Sequence, residues 1–350
     1  MEHIIPDFEQ RSSGSVEVSE VTSELTLRAI SSADFIIRTK AIRSLEEQMM
    51  MWLSISACGA IIYGRARIGK TRAMLSVASD IRNRYGAGFP VIIWEITDHA
   101  VTEKHFYTSL LMAMGIEGIP RSQTALALKQ RVLNELVMAA CQTPFRRAVL
   151  MLDEAWKFTE KDFSWLMDLY NILSRKDVLL TCFLFGTREL KDIKTGFKRL
   201  GKDQIVGRFM INEFQFYGMK EPEELMLCML DFDKATVTVE CGGHSSVPII
   251  DYYFPDRGDR TFYGIGGEYW EAFMHIRSEY GIKAEDIPMK YLIDSFILIL
   301  RRHGRFGEDK VCFPGAREIE RCIRDSGYGE SDDEYELSKN SVKPGKYRRK

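Results

Sequence analysis

A chain of 350 residues has room for one large domain and a smaller one beside it. With 48 basic against 50 acidic residues and a net charge of -2, it has no global basic field, so any hold on nucleic acid must come from a local patch. Seven scattered cysteines with no C-x-x-C pair speak against a disulfide scaffold and suit a reducing, cytoplasmic setting; no signal peptide and no run of about 18 apolar residues occurs.

Residues 1–23 are polar, rich in Ser and Glu, and read as a flexible arm outside the core. A helix is expected over 42–53, leading into the apolar run Ala60, Ile61, Ile62 and Tyr63. Then comes "IIYGRARIGKTRAML", where Gly64, four further residues, and Gly69, Lys70 and Thr71 spell G-x-x-x-x-G-K-T before a helix over 72–84. The spacing suits phosphate. Successive backbone N–H groups can close around its oxygens, and glycine permits approaches that a Cβ would obstruct. The helix then points its positive end at the anion. Lys70 is set to reach the β/γ-phosphates of ATP (or GTP) and Thr71 to hold Mg²⁺, with Gly64, Arg65, Ala66, Arg67, Ile68, Gly69 and Arg72 completing the cradle. The bland reading is a chance match in a βα loop, and the flanking strand and helix argue against it. Arg65 and Arg67 are unusual here, and add charge toward phosphates or toward a neighbour.

A second buried strand, "VIIWEIT", spans 91–97, and helices follow over 103–114 and 124–140. "RRAVLMLDEAW" then gives an apolar strand over 148–152 that ends in Asp153 and Glu154. Asp153 is placed to organise the Mg²⁺ shell, usually through water, and Glu154 to orient and polarise the attacking water. Acidic pairs at strand ends are common turn residues; it is the pairing with the phosphate loop that makes this one specific. A helix over 162–174, the strand "VLLTCFLFGT" over 178–187 and a helix over 190–200 come next, and "RFMINEFQF" alternates with period two as a further strand. Strands alternating with helices imply an α/β domain over 24–217, a parallel sheet sandwiched by helices.

From 218 the texture changes. Helices over 221–230, 268–280, 290–303 and 315–325 make a small, mostly helical lid region over 218–325. Between the first two, 233–263 is rich in Gly, Asp, Val and Tyr and reads as an inserted hairpin or loop, with Cys241 and His244 too few ligands for a zinc site. Residues 326–350, with "ESDDEYE" and "KPGKYRRK", read as a disordered tail.

"AIIYGRARIGKT", "AVLMLDEAWKF" and "LTCFLFGTREL" follow one another as in AAA+ P-loop ATPases. More narrowly the chain resembles the transposon target-selection ATPases, the TnsC/TniB group with MuB as a cousin. The Phe185-Gly186-Thr187 strand end resembles that group's sensor-1 position, and the helix preceding the acidic strand resembles the initiator-type insertion. "FPGAREIERCI" resembles a sensor-2 helix with Arg317 at its arginine. The resemblance implies that Thr187 senses the γ-phosphate; on the bare sequence an ordinary helix N-cap, with Leu190 at N3, serves equally well. It also implies a homo-oligomer, ring or filament, whose arginine finger comes from "FKRLGKDQIVGRF": Arg199 or Arg208, the latter favoured because it abuts the strand. The two loop arginines and the 233–263 insertion depart from the group's pattern.

In related assemblies residues of the helical insert touch the DNA backbone, which here offers Lys104, His105, Arg121, Ser122, Lys129 and Arg131. Taken singly, each is more simply a solvated charge. Lys194, Lys198 and Arg199 are the next candidates. The resemblance therefore implies an ATP-dependent regulator that binds duplex DNA without sequence preference and recruits transposase components, with a target-selector protein as a further partner, no membrane, a bacterial cytoplasmic location, and the tail as the transposase dock. Another AAA+ switch, such as a replication loader or a defence NTPase, is the alternative, and a non-hydrolysing scaffold is disfavoured by Lys70 and Glu154.

Overall fold

The computed structural model describes residues 19–20, 24–240 and 244–331. They form two compact units. The first holds 42–64 and 70–216; the second gathers the described residues of 18–41, the short stretch 65–69, and 217 onward.

The first unit is built on five parallel strands. After α1 (Lys40–Ser54) come β1 (Gly59–Tyr63), α2 (Lys70–Tyr85), β2 (Val91–Glu95), α3 (Glu103–Ala113) and α4 (Ala125–Cys141). Then follow β3 (Arg147–Asp153), α5 (Glu160–Ser174), β4 (Leu179–Gly186), α6 (Glu189–Arg199) and β5 (Asn212–Gln215). The sheet order is β2-β3-β4-β1-β5. Every residue of β1 and β3 is buried, as unbroken apolar runs covered by helices on both faces require. Helix starts are fixed locally. Thr102 and Thr124 cap α3 and α4 by accepting N–H bonds from His105 and Ala127 at 3.2 Å. Thr159 and the buried Asp162 form a capping box at α5. The helical insert is part of the core, for Phe106, Tyr107, Leu110, Leu128, Val132 and Leu136 are fully buried. This is the α/β arrangement, a parallel sheet between helices, that the alternation of strands and helices predicts.

One expected strand is shorter than its alternation suggests. Val206–Met210 forms a π-helical turn and only Asn212–Gln215 joins the sheet. Phe209 and Met210, expected at the head of that strand, lie in the turn and are both fully buried.

The second unit is mostly helical, with Pro222–Lys234, Gly266–Tyr280, Met289–His303 and Ala316–Asp325. Its core is aromatic: Phe232 stacks on Phe296 with ring centroids 3.8 Å apart, and Phe262 meets Phe296 edge-on at 4.9 Å. The 233–263 segment does contain a hairpin, Thr236–Glu240 against His244–Pro248, and a third strand, Glu24–Thr26, pairs in parallel with its first arm. Residues 24–41, expected in the nucleotide domain, therefore lie with the second unit, where Leu25 is fully buried. The unit also extends past 325, where a tail was expected: Tyr328 is fully buried, its ring centroid 4.8 Å from that of Phe273. Most of the expected arm, Cys241, the His244 side chain and residues 332–350 lie outside the described residues. Among the described residues, no helix is long and apolar enough to cross a membrane.

Candidate functional site

The strand order places β4 between β1 and β3, so the ends of three strands converge. Gly64 leaves β1 and donates its N–H to Gly186 O at 3.2 Å, which aligns the start of the glycine loop with the end of β4. Asp153 closes β3, and Thr187 follows directly on β4. Motif residues far apart in sequence thus meet at one sheet edge.

Their chemistry interlocks. Thr71, in the first turn of α2, donates its hydroxyl to Asp153 Oδ2 at 2.6 Å. The buried Asp153 carboxylate also accepts the Glu154 N–H at 2.9 Å through Oδ1. A hydroxyl and a carboxylate oxygen side by side are the hard donors that suit Mg²⁺. Lys70 is buried, donates to Gly64 O at 3.2 Å, and loses basicity to that burial against the pull of Glu154, Asp153 and Glu189. Thr187 Oγ1 is buried without a hydrogen-bond partner, and α6 takes Arg188 rather than Thr187 as its cap. The hydroxyl therefore caps no helix, and it follows directly on the strand end that Gly64 bonds. Gly69 holds φ 101, a left-handed conformation that glycine adopts without strain. On these observations the residues fit ATP and Mg²⁺.

The crown of the loop is held differently from its ends. Residues 65–69 cluster with the second unit. There Arg65 pairs with Asp286 Oδ1 at 2.7 Å and donates to Asp286 O at 2.9 Å, while Arg67 O accepts the Lys290 N–H at 3.2 Å. Arg65 is thus engaged with a carboxylate, whereas the sequence pointed it toward phosphate or a neighbour. Ala66 is exposed, Ile68 buried, and Arg72 half-buried in the first turn of α2.

Other expected site residues lie apart. Arg208 stands over the Tyr170 ring, 5.1 Å from its centroid, and also reaches Met167 Sδ, so its guanidinium rests on α5 of its own chain. Arg199 is exposed at the end of α6, and Arg317 is exposed in the first turn of Ala316–Asp325. On the insert, Lys104 donates to Arg121 O at 2.5 Å, which ties α3 to the loop before α4. Lys129 pairs with Asp168 at 3.1 Å. Arg121 and Ser122 are exposed and Arg131 half-buried. Lys194 is buried and bonded to Glu213; Lys198 is exposed. Two residues given no role by the sequence reading border the site: Trp156, bonded to Glu154, and Glu189, whose charge Lys70 feels. Their only advance signal is position, two residues beyond Glu154 and two beyond Thr187.

Residues 57–193 match the family model described as an AAA domain. The phosphate loop, the acidic strand and four of the five sheet strands fall within that segment, which has the fold of an AAA+ P-loop ATPase domain. No curated protein matches the chain. Among solved structures, the chain is similar to the Walker-type ATPase of Pyrococcus abyssi at 12% identity, covering 92% of this chain and 80% of that one, with a TM-score of 0.53. It also overlaps the ADP form of the Aeropyrum pernix ORC2 protein (14% identity, 85% and 72% covered, TM-score 0.45). A third is the Drosophila ORC bound to DNA (15% identity, 84% and 42% covered, TM-score 0.42). The Pyrococcus likeness speaks to fold alone, and the two ORC overlaps carry no weight of their own.

Proposed function

We propose that this protein is an ATP-hydrolysing AAA+ switch that assembles on duplex DNA of any sequence and, in the manner of the transposon target-selection ATPases it resembles, recruits a transposase there. The observation that carries the ATP-dependent part is the Thr71–Asp153 bond with Glu154 next along the chain and the unpartnered Thr187 hydroxyl close by. Lys70 and the loop N–H groups hold the phosphates, and Thr71 and Asp153 would hold Mg²⁺, which when bound would supply positive charge beside the phosphate oxygens. Glu154 orients the water that attacks the γ-phosphorus and takes its proton as the bond to the β,γ-bridging oxygen breaks and ADP leaves, and Thr187 reads whether that phosphoryl group is present. Arg317 and either Arg208 or Arg199 are assigned to the same phosphates in the assembled state, the latter two from a neighbouring copy. Lys104, Arg121, Ser122, Lys129 and Arg131 supply the DNA face, making phosphate contacts without base readout.

A replication-initiator-like switch is the alternative, since an AAA domain with a helical unit serves both. Imaging of the protein with ATP or a slowly hydrolysed analogue, with and without duplex DNA, tests assembly. Ordered oligomers on DNA with ATP and smaller species with ADP are expected; monomers in every nucleotide state, DNA included, would overturn it. Transposition assayed with and without the protein then separates the two readings.

A further inference from the structure

Glu154 is unusual in backbone and in side chain. Its φ of 54 and ψ of 34 place a non-glycine residue in the left-handed region, which L side chains adopt only under constraint. The turn that follows, Ala155–Lys157, brings Trp156 back over the site, and its indole Nε1–H donates to Glu154 Oε2. The same ring sits against the end of β4: a Cβ built on Gly186 would lie 3.2 Å from Trp156 Cδ1, closer than nearly all such contacts allow. Lys157, whose ammonium lies 5.8 Å from the Trp156 centroid, donates to Ile96 O at 2.9 Å and so ties the turn down to the exit of β2. The indole therefore spans two parts of the site, one carboxylate oxygen of Glu154 and the strand end that precedes Thr187.

We infer that Trp156 is a positioning residue for hydrolysis, fixing Oε2 of Glu154 so that Oε1 is presented to the attacking water. This deepens the ATPase reading and rests on it. A carboxylate on a short, freely rotating side chain must otherwise be ordered at the moment of reaction, and a preformed N–H bond removes that reorganisation. No bond to phosphorus changes because of Trp156; it acts through Glu154 alone.

The test is a set of variants assayed for ATP turnover at saturating nucleotide and for ATP affinity. Trp156→Phe keeps an aromatic ring against Gly186 and removes only the donor. It is expected to lower kcat about tenfold, the order of one hydrogen bond to a charged group, with ATP affinity unchanged. Trp156→His retains a ring N–H two bonds from Cγ, where the indole nitrogen lies, and should recover part of the loss. In a Glu154→Gln background, Trp156→Phe should lower kcat no further, since its effect passes through the carboxylate. A purely structural tryptophan would instead give additive losses, and unchanged kcat in Trp156→Phe would equally overturn the inference. Failure of the ATPase reading looks different: Glu154→Gln itself would then turn over ATP like the unaltered protein.

Discussion

The phosphate loop and the helical insert both carry cations, yet they are built in opposite ways. Lys70 is 6% exposed, and it is surrounded by groups that fix it: Gly64 O, Asp153, Glu154. The insert cations stand at the surface or half-buried, and two of them bond within their own chain, Lys104 to Arg121 O and Lys129 to Asp168. Binding energy concentrates at the buried site. A buried ammonium set among oxygens has no substitute, whereas surface charges share their work and are screened by salt.

The comparison breaks most sharply at Lys70. Lys70→Ala should weaken ATP binding by about 100-fold or more, because a buried charged donor is lost outright. Titration with a fluorescent nucleotide checks it, and affinity within a factor of three of the original would mean that the loop binds mainly through its backbone. On the insert, Lys104→Glu with Arg121→Glu should weaken duplex binding by about tenfold and reduce the salt slope by about two, while nucleotide affinity stays constant. If binding across a salt series is unaltered, the DNA face lies elsewhere on the molecule. The smallest effect sharpens the contrast. Asp168→Asn frees Lys129 from a half-exposed pair worth about 0.2–1 kcal/mol, so duplex affinity should rise about twofold with little change in Tm. A fall in affinity would show that Lys129 acts only when Asp168 orients it.

How much of this was legible beforehand follows from the same contrast. That Gly64, Lys70, Thr71, Asp153 and Glu154 would come together could be expected from sequence, because a phosphate loop and an acidic strand end each carry their own residue types and spacing. The elements of the nucleotide domain were also readable, since buried parallel strands are unbroken apolar runs. What escaped the reading depends on distant partners. Nothing near Arg65 says that Asp286 will pair with it, and nothing in 24–26 says that these residues will lie beside Thr236–Thr238. Trp156 was in plain view after Asp153 and Glu154, but a donor two residues from its acceptor reaches it only through the left-handed turn at Glu154. Phe209 and Met210 passed as strand because apolar neighbours before a true strand fit period two, whereas the chain makes a helical turn there.

The strand Glu24–Thr26 has a consequence in time rather than in space. Its parallel partner Thr236–Thr238 leaves the ribosome roughly 200 residues later, and at about 5–20 residues per second that is a wait of roughly 10–40 s. During that interval the whole nucleotide domain can be made and can fold, while Leu25 and its neighbours have nothing to bury against. The second unit is therefore completed after the nucleotide domain although one of its strands is made before that domain, and a chaperone that recognises short apolar segments would find Leu25, Ile30 and 35–37 available throughout that wait. Slowing translation between 217 and 238 should lengthen exactly that exposure and raise aggregation of the nascent chain, without altering the finished protein.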